Sequence, residues 1–199
     1  MIVIPIYVVG AGPWDPELIT VKAIKILSKA DVVFYGSLVN EEIINTYAPN
    51  ARKVFMGGHV RGEAHREYVI KAIELARKGL NVVFLKNGDP VIFGRGGIEI
   101  CREALRNGVP CEIVPGGVSS FTAAAAKYMI ELKGVVALMA YPDIDYDVKA
   151  DVKVVFMGTR MIKELISKLN DDHEILIVSR VTYQTRSFID LIIALTLMM

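Results

Sequence analysis

Short apolar runs, each closed by a turn and separated from the next by an amphipathic stretch, constrain this chain more than any other feature. Ile2 to Val9 is such a run, and it ends in Gly10-Ala11-Gly12-Pro13. Asp31 to Tyr35, Lys53 to Met56, Val82 to Leu85 and Cys111 to Val114 repeat the type. The last two lead into Asn87-Gly88-Asp89-Pro90 and Pro115-Gly116-Gly117. Brief runs of this composition, bounded by Gly and Pro, read as buried strands. The stretches between them read as helices. Asp15-Pro16 supplies an N-cap and a first helical proline, and Ile19, Ala23, Ile26, Leu27 and Ala30 then share one helical face. Glu41 to Tyr47 predicts a short helix, and Gly97 to Asn107 another that Gly108 ends. From Glu63 to Lys78, Val69, Ala72, Ile73 and Ala76 face one way and Gly79 stops the helix. This alternation predicts an α/β fold with a mostly parallel sheet covered on both faces.

After Pro115 the character changes. Ser119 to Met129 holds four consecutive alanines and predicts a close-packed helix. Val135 to Ala140, Val152 to Met157 and Glu174 to Ser179 predict strands, Met161 to Leu169 a helix, and the acidic stretch Tyr141 to Asp151 a loop. The expected organisation is an N-terminal α/β domain over residues 1–116 and a smaller, mixed α/β domain over 117–199.

Composition excludes several function classes. With 23 basic and 22 acidic residues the net charge is +1, which supports no nucleic-acid footprint. His59, His65 and His173 are scattered, without metal-ligand spacing, so no metal is expected. Cys101 and Cys111 are the only cysteines; they are expected as separate small thiols, in a reducing, cytoplasmic setting. Residues 1–10 lack the basic start and cleavage site of a signal peptide. The apolar end Leu191 to Met199 is far shorter than the roughly 20 residues that span a bilayer, so it is expected as a buried helix turn or strand, without a membrane partner.

In a parallel sheet the turns at 10–13, 88–90 and 115–117 would emerge at one edge, where open α/β sheets bind ligands. The first turn lacks the third glycine of a dinucleotide fingerprint, and no Gly-Lys-Ser/Thr follows for a phosphate loop. Ser119 and Ser120 lack the elbow of a hydrolase nucleophile. Asp89 has two readings: it caps its own turn through backbone N–H groups, or it accepts hydrogen bonds from a ligand. Arg95, set among three glycines, is either a solvated loop charge or a clamp for a substrate carboxylate.

Taken together these turns resemble the tetrapyrrole methylase family. The resemblance runs through Val8 to Ala23, Ala30 to Val33, Leu38-Val39, the Gly88-Asp89-Pro90 stretch, Val114-Pro115-Gly116 and Phe156-Met157-Gly158. It implies two α/β domains with S-adenosylmethionine, or its product S-adenosylhomocysteine, in the cleft between them. The implied cofactor contacts are Pro13, Asn87, Gly88, Asp89, Ile92, Ser119, Ser120, Met157 and Val181. The implied partner is an anionic tetrapyrrole, with Arg95 and Arg61 on its carboxylates and Arg66 and Lys86 near the same rim; a homodimer is the family expectation.

Two branches of the family are mixed here. Phe93 to Glu99 and Met157-Gly158 look like the uroporphyrinogen-III methyltransferases of sirohaem and cobalamin synthesis, whereas Tyr35 to Asn40 and Val118 to Ala126 look like the precorrin-4 C11-methyltransferases. Uroporphyrinogen III is the first expectation for the substrate and precorrin-4 the alternative. The uroporphyrinogen branch has an Asp where this chain has Gly36 and a Lys where it has Gly58; both are proton-transfer positions there. The catalytic base is therefore unassigned. Tyr35, His59 and Glu63 are its candidates, and a non-catalytic, cofactor-binding member of the family is a further alternative.

Overall fold

A computed structural model describes residues 3–58, 62–93, 95–158, 162–168, 173–178 and 191–196. The chain divides into two compact units, Met1–Ser119 and Ser120–Met199.

The first unit is a three-layer sandwich around a parallel sheet. Its strands are β1 (Ile6–Gly10), β2 (Val32–Tyr35), β3 (Arg52–Phe55), β4 (Val82–Lys86) and β5 (Cys111–Ile113). They lie in the order β3-β2-β4-β1-β5, and every pairing is parallel. Successive side chains in a strand point to opposite faces, and the apolar runs exploit this. Ile6, Val8, Val32, Phe34, Val82 and Phe84 pack on one face, against Val69, Ala72, Ile73 and Ala76 of α3 (Glu63–Arg77) and Ile100 and Ala104 of α4 (Arg95–Arg106). Phe34 and Phe84 stack there with centroids 4.8 Å apart. Val9, Val33, Val83 and Leu85 face the other way, toward Ala23 and Leu27 of α1 (Val21–Leu27) and Ile43 and Ile44 of α2 (Glu41–Tyr47). Both faces of the sheet are thus covered, as continuous rather than alternating apolar strands require.

Two expectations for this unit are corrected. The first helix does not run on from Asp15-Pro16. Asp15 Oδ1 accepts from Glu17 N at 2.9 Å and caps only a 3-10 turn, Pro16–Leu18. The chain then extends through Ile19, and Thr20 Oγ1 accepts from Ala23 N at 3.2 Å to start α1 afresh. Two capping residues five apart give two short elements, because each cap requires extended backbone at its own position. The cysteines are not separate thiols. Cys101 and Cys111 form a disulfide, since the turn after α4 brings the chain straight back into β5 and sets their Cα atoms 5.1 Å apart.

The second unit contains α5 (Ser120–Lys127), β6 (Val136–Ala140), β7 (Val152–Phe156), α6 (Ile162–Lys168), β8 (His173–Val178) and β9 (Leu191–Thr196). Its sheet is mixed, in the order β6-β7-β9-β8, with β6 and β7 parallel and β9 antiparallel to both neighbours. Met139, Val155 and Leu165 form one buried cluster of this unit. The C-terminal apolar run is a strand, Leu191–Thr196, rather than a helical turn. Among the described residues no helix is long and apolar enough to cross a membrane.

Candidate active site

The strand order decides where the three turns meet. β4, β1 and β5 are consecutive neighbours in the sheet, so the turns that follow them leave its carboxyl edge side by side. They are also laced to one another. Ala11 N donates to Lys86 O at 2.6 Å, Gly88 N to Gly12 O at 2.8 Å and Gly12 N to Gly88 O at 3.3 Å. The third turn is pressed into the other two. A Cβ on Gly10 would lie 2.5 Å from Gly116 O and 2.7 Å from Gly88 O. A Cβ on Gly117, whose φ is +117°, would overlap Gly88 O. Two of the glycines are therefore explained by the neighbouring turns, whose backbones approach too closely for any side chain. Gly88 differs. Its φ of +64° favours glycine, yet nothing lies within 4 Å of where its Cβ would point, so this part of the edge is open.

Asp89 shows the capping geometry: its Oδ1 accepts from Val91 N at 2.8 Å. Asn87 is exposed at the mouth of the turn, while Pro13 and Ile92 are partly buried. Ser119 is buried at the end of the first unit, and Ser120 opens α5 in the second. Met157 is 42% exposed just after β7. Arg61 and Val181 lie outside the described residues; Arg95 begins α4, but its side chain also lies outside them. Backbone strain collects near these positions. Among the described residues, four non-glycine residues have positive φ: Trp14 (φ 88°), Phe93 (φ 48°) and Met157 (φ 56°) sit within or beside these segments, whereas Met129 (φ 56°) follows the C-terminal end of α5.

The base candidates fare differently. Tyr35 is a buried residue near Glu41; burial first, then hydrogen bonding to the Glu41 carboxylate and its charge, raise the pKa of its phenol above the ordinary range. It stays protonated at neutral pH and is a poor base. Glu63 is exposed at the start of α3, and His59 lies outside the described residues. Gly36 and Gly58, from the ends of β2 and β3, stand close together: a Cβ on Gly36 would lie 3.4 Å from Gly57 O, and one on Gly58 would lie 3.0 Å from Ser37 Oγ.

One group of titratable residues is not evident from sequence. Lys86, the last residue of β4, does not reach out to the rim. It turns beneath α4, where a Cβ on Gly96 would lie 3.4 Å from Lys86 Nζ and 3.5 Å from His65 Nε2. Burial lowers the pKa of the Lys86 ammonium, and the Glu99 charge opposes the shift. Burial, then the Lys86 charge, lowers the pKa of His65, again opposed by Glu99. Only the packing of α3 over β4 and α4 brings these three together, so no local motif announces them.

Comparisons with known proteins agree with this architecture. The family model of the tetrapyrrole (corrin/porphyrin) methylases matches residues 5–192. The chain is 45% identical over 122 residues to the uroporphyrinogen-III C-methyltransferase of Cyanidium caldarium, a match that covers 60% of this chain but only 48% of that protein. It thus spans about half the length of this relative. A solved structure of uroporphyrin-III C-methyltransferase from Thermus thermophilus, complexed with S-adenosylhomocysteine, superposes with a TM-score of 0.76 at 33% identity, covering 96% of each chain. A cobalt-precorrin-4 methyltransferase of cobalamin biosynthesis superposes with a TM-score of 0.81 at 30% identity, covering 96% of this chain and 85% of that one. The fold, the matched span and these likenesses establish that the chain belongs to the tetrapyrrole (corrin/porphyrin) methylase family.

Proposed function

We propose that this protein is an S-adenosylmethionine-dependent C-methyltransferase whose substrate is uroporphyrinogen III. The observation that carries the reading is the open face at Gly88, framed by three interlocked turns on one sheet edge. Its backbone can come close to a ligand, and the rim is tied by the Gly12–Gly88 backbone hydrogen bonds and by the Asp89 cap. S-adenosylmethionine, when bound, supplies a methyl group already activated on a sulfonium. What remains for the chain is chiefly to hold and orient, which accounts for up to roughly 7–11 kcal/mol of barrier in favourable cases. Pro13, Asn87, Gly88, Asp89, Ile92 and Ser119 are assigned to the cofactor in the first unit, and Ser120, Met157 and Val181 in the second. Met157 offers a polarizable thioether to the adenine. Arg95 and Arg61 are assigned to the carboxylates of the macrocycle. We also read the protein as a cytoplasmic homodimer that binds neither nucleic acid nor metal; light scattering after size exclusion tests the dimer.

The second reading, methylation of precorrin-4 at C11, is favoured by the similarity of Tyr35 to Asn40 and Val118 to Ala126 to that branch. One experiment separates the two. Purified protein is offered labelled S-adenosylmethionine with uroporphyrinogen III, and separately with a precorrin-4 source. Label in the first macrocycle supports the proposal, and label in the second alone transfers it to precorrin-4. Cofactor binding with label in neither points to a non-catalytic member, consistent with the absence of side chains at Gly36 and Gly58.

A further inference from the structure

The loop assigned to cofactor and substrate is anchored at both ends by elements of the first unit. It leaves β4 at Lys86 and enters α4 at Arg95. Lys86 Nζ and His65 Nε2 both abut Gly96, in the first turn of α4. His65 Nε2 is buried and has no hydrogen-bond partner. A proton acceptor for the macrocycle would have to reach its ligand, and Nε2 cannot, because it has no exposed surface. Its position suits another task. It lies at the one place where α3, the end of β4 and the start of α4 converge, under the hinge of the loop.

We propose that His65 and Lys86 are positioning residues: together they seat the first turn of α4 and thereby set the geometry of the 87–93 loop. In this arrangement neutral His65 tolerates the neighbouring ammonium of Lys86, which Glu99 on α4 balances. A proton on His65 places two cations under Gly96 with one carboxylate to offset them. The turn then lifts and the loop loosens. Among the described residues the charged groups that enter the electrostatics of His65 are Lys86 from β4 and Glu99 from α4. Because the seated form disfavours the proton, seating is complete above the ordinary histidine pKa of about 6.5 and is lost as pH falls below it. The effect on ligand binding rests on the methyltransferase reading, whereas the seating itself does not.

Two measurements keep these apart. In the ligand-free protein, hydrogen exchange of the amides in residues 95–100, corrected for the intrinsic pH dependence, reports the seating. The wild type is expected to exchange several-fold faster at pH 5.5 than at pH 7.5, and His65→Gln to show no such change. A wild-type pH response that survives in His65→Gln overturns the proposal, as does an unresponsive wild type. S-adenosylhomocysteine affinity by calorimetry is the second measurement. Its dissociation constant is expected to rise about fivefold over the same pH interval in the wild type and to stay flat in His65→Gln. Lys86→Met is expected to weaken binding and raise KM with little change in kcat, and Lys86→Arg to restore most of the loss. Thermal melts identify any variant that fails to fold; His65→Asn and Lys86→Gln then replace it. If the exchange behaves as expected and S-adenosylhomocysteine does not bind, the seating stands and the methyltransferase reading falls.

Discussion

At the scale of single residues, space and backbone angle separate glycines that look alike in sequence. Gly10→Ala forces a Cβ to within 2.5 Å of Gly116 O, and Gly117→Ala adds positive-φ strain to an overlap with Gly88 O. Each is expected to destabilise by about 2–4 kcal/mol, read as a lower melting temperature. Gly96→Ala is the control, since its Cβ lies at ordinary contact distance and helix propensity favours alanine by about 0.5–1 kcal/mol. Gly36 and Gly58 pose a chemical question. A Cβ at 36 meets Gly57 O at ordinary contact distance, and one at 58 meets only the exposed Ser37 side chain, which can turn aside. If proton transfer limits turnover, Gly36→Asp with Gly58→Lys is expected to raise kcat, by as much as 10²–10⁴-fold for a well-placed acid–base pair. Methyl transfer to uroporphyrinogen III measures it, and an unchanged rate excludes that limitation. The cap at Asp89 was one of the two readings the sequence left open, since Gly-Asp-Pro turns use the carboxylate locally, and Val91 N does donate to its Oδ1. The His65–Lys86–Glu99 group was not. Its members come from three elements that only tertiary packing brings together.

At the scale of elements, the strands of the first unit were legible because each apolar run has a turn residue near its end, and the inner strands β1, β2 and β4 are buried on both faces. Helix starts were less so. Asp15 and Thr20 are both good N-caps, and sequence cannot say that the chain uses both and breaks between them. Thr20→Ala is expected to cost about 1 kcal/mol through the loss of the Ala23 N–H acceptor, a shift that denaturant titration resolves. The disulfide was missed for a related reason: cysteine spacing carries no information on whether α4 folds back onto β5. Chain-entropy arguments for so short a loop give roughly 2–3 kcal/mol, so dithiothreitol is expected to lower the melting temperature by several degrees. The double variant Cys101→Ser/Cys111→Ser is expected to melt at the lower temperature with or without reductant.

At the scale of the whole molecule, the chain divides into two units, and among the described residues the clusters on both faces of the first sheet are built from residues of Met1–Ser119. A fragment ending at Ser119 is therefore expected to fold by itself, with a cooperative melt by circular dichroism. A fragment that remains unfolded at 25 °C contradicts this. The α/β class and the presence of a second, mixed unit were visible in the switch of pattern after Pro115. The antiparallel placing of β9 between β7 and β8 was not, since an apolar run does not declare its neighbours.

The strand order also has a kinetic meaning. β1 is made first, yet its two neighbours are β4 and β5, and nothing that leaves the ribosome before Val82 can pair with it. β2 meets β3 soon after synthesis but must keep its other side open until β4 slots in between it and β1. The central strand of the sheet is thus a late guest, and the edge proposed for the cofactor cannot exist before it arrives. Such long-range parallel closure folds slowly and leaves hydrophobic edges bare in the meantime. A nascent chain stalled shortly after Lys86 is the species that a holding chaperone would be expected to find.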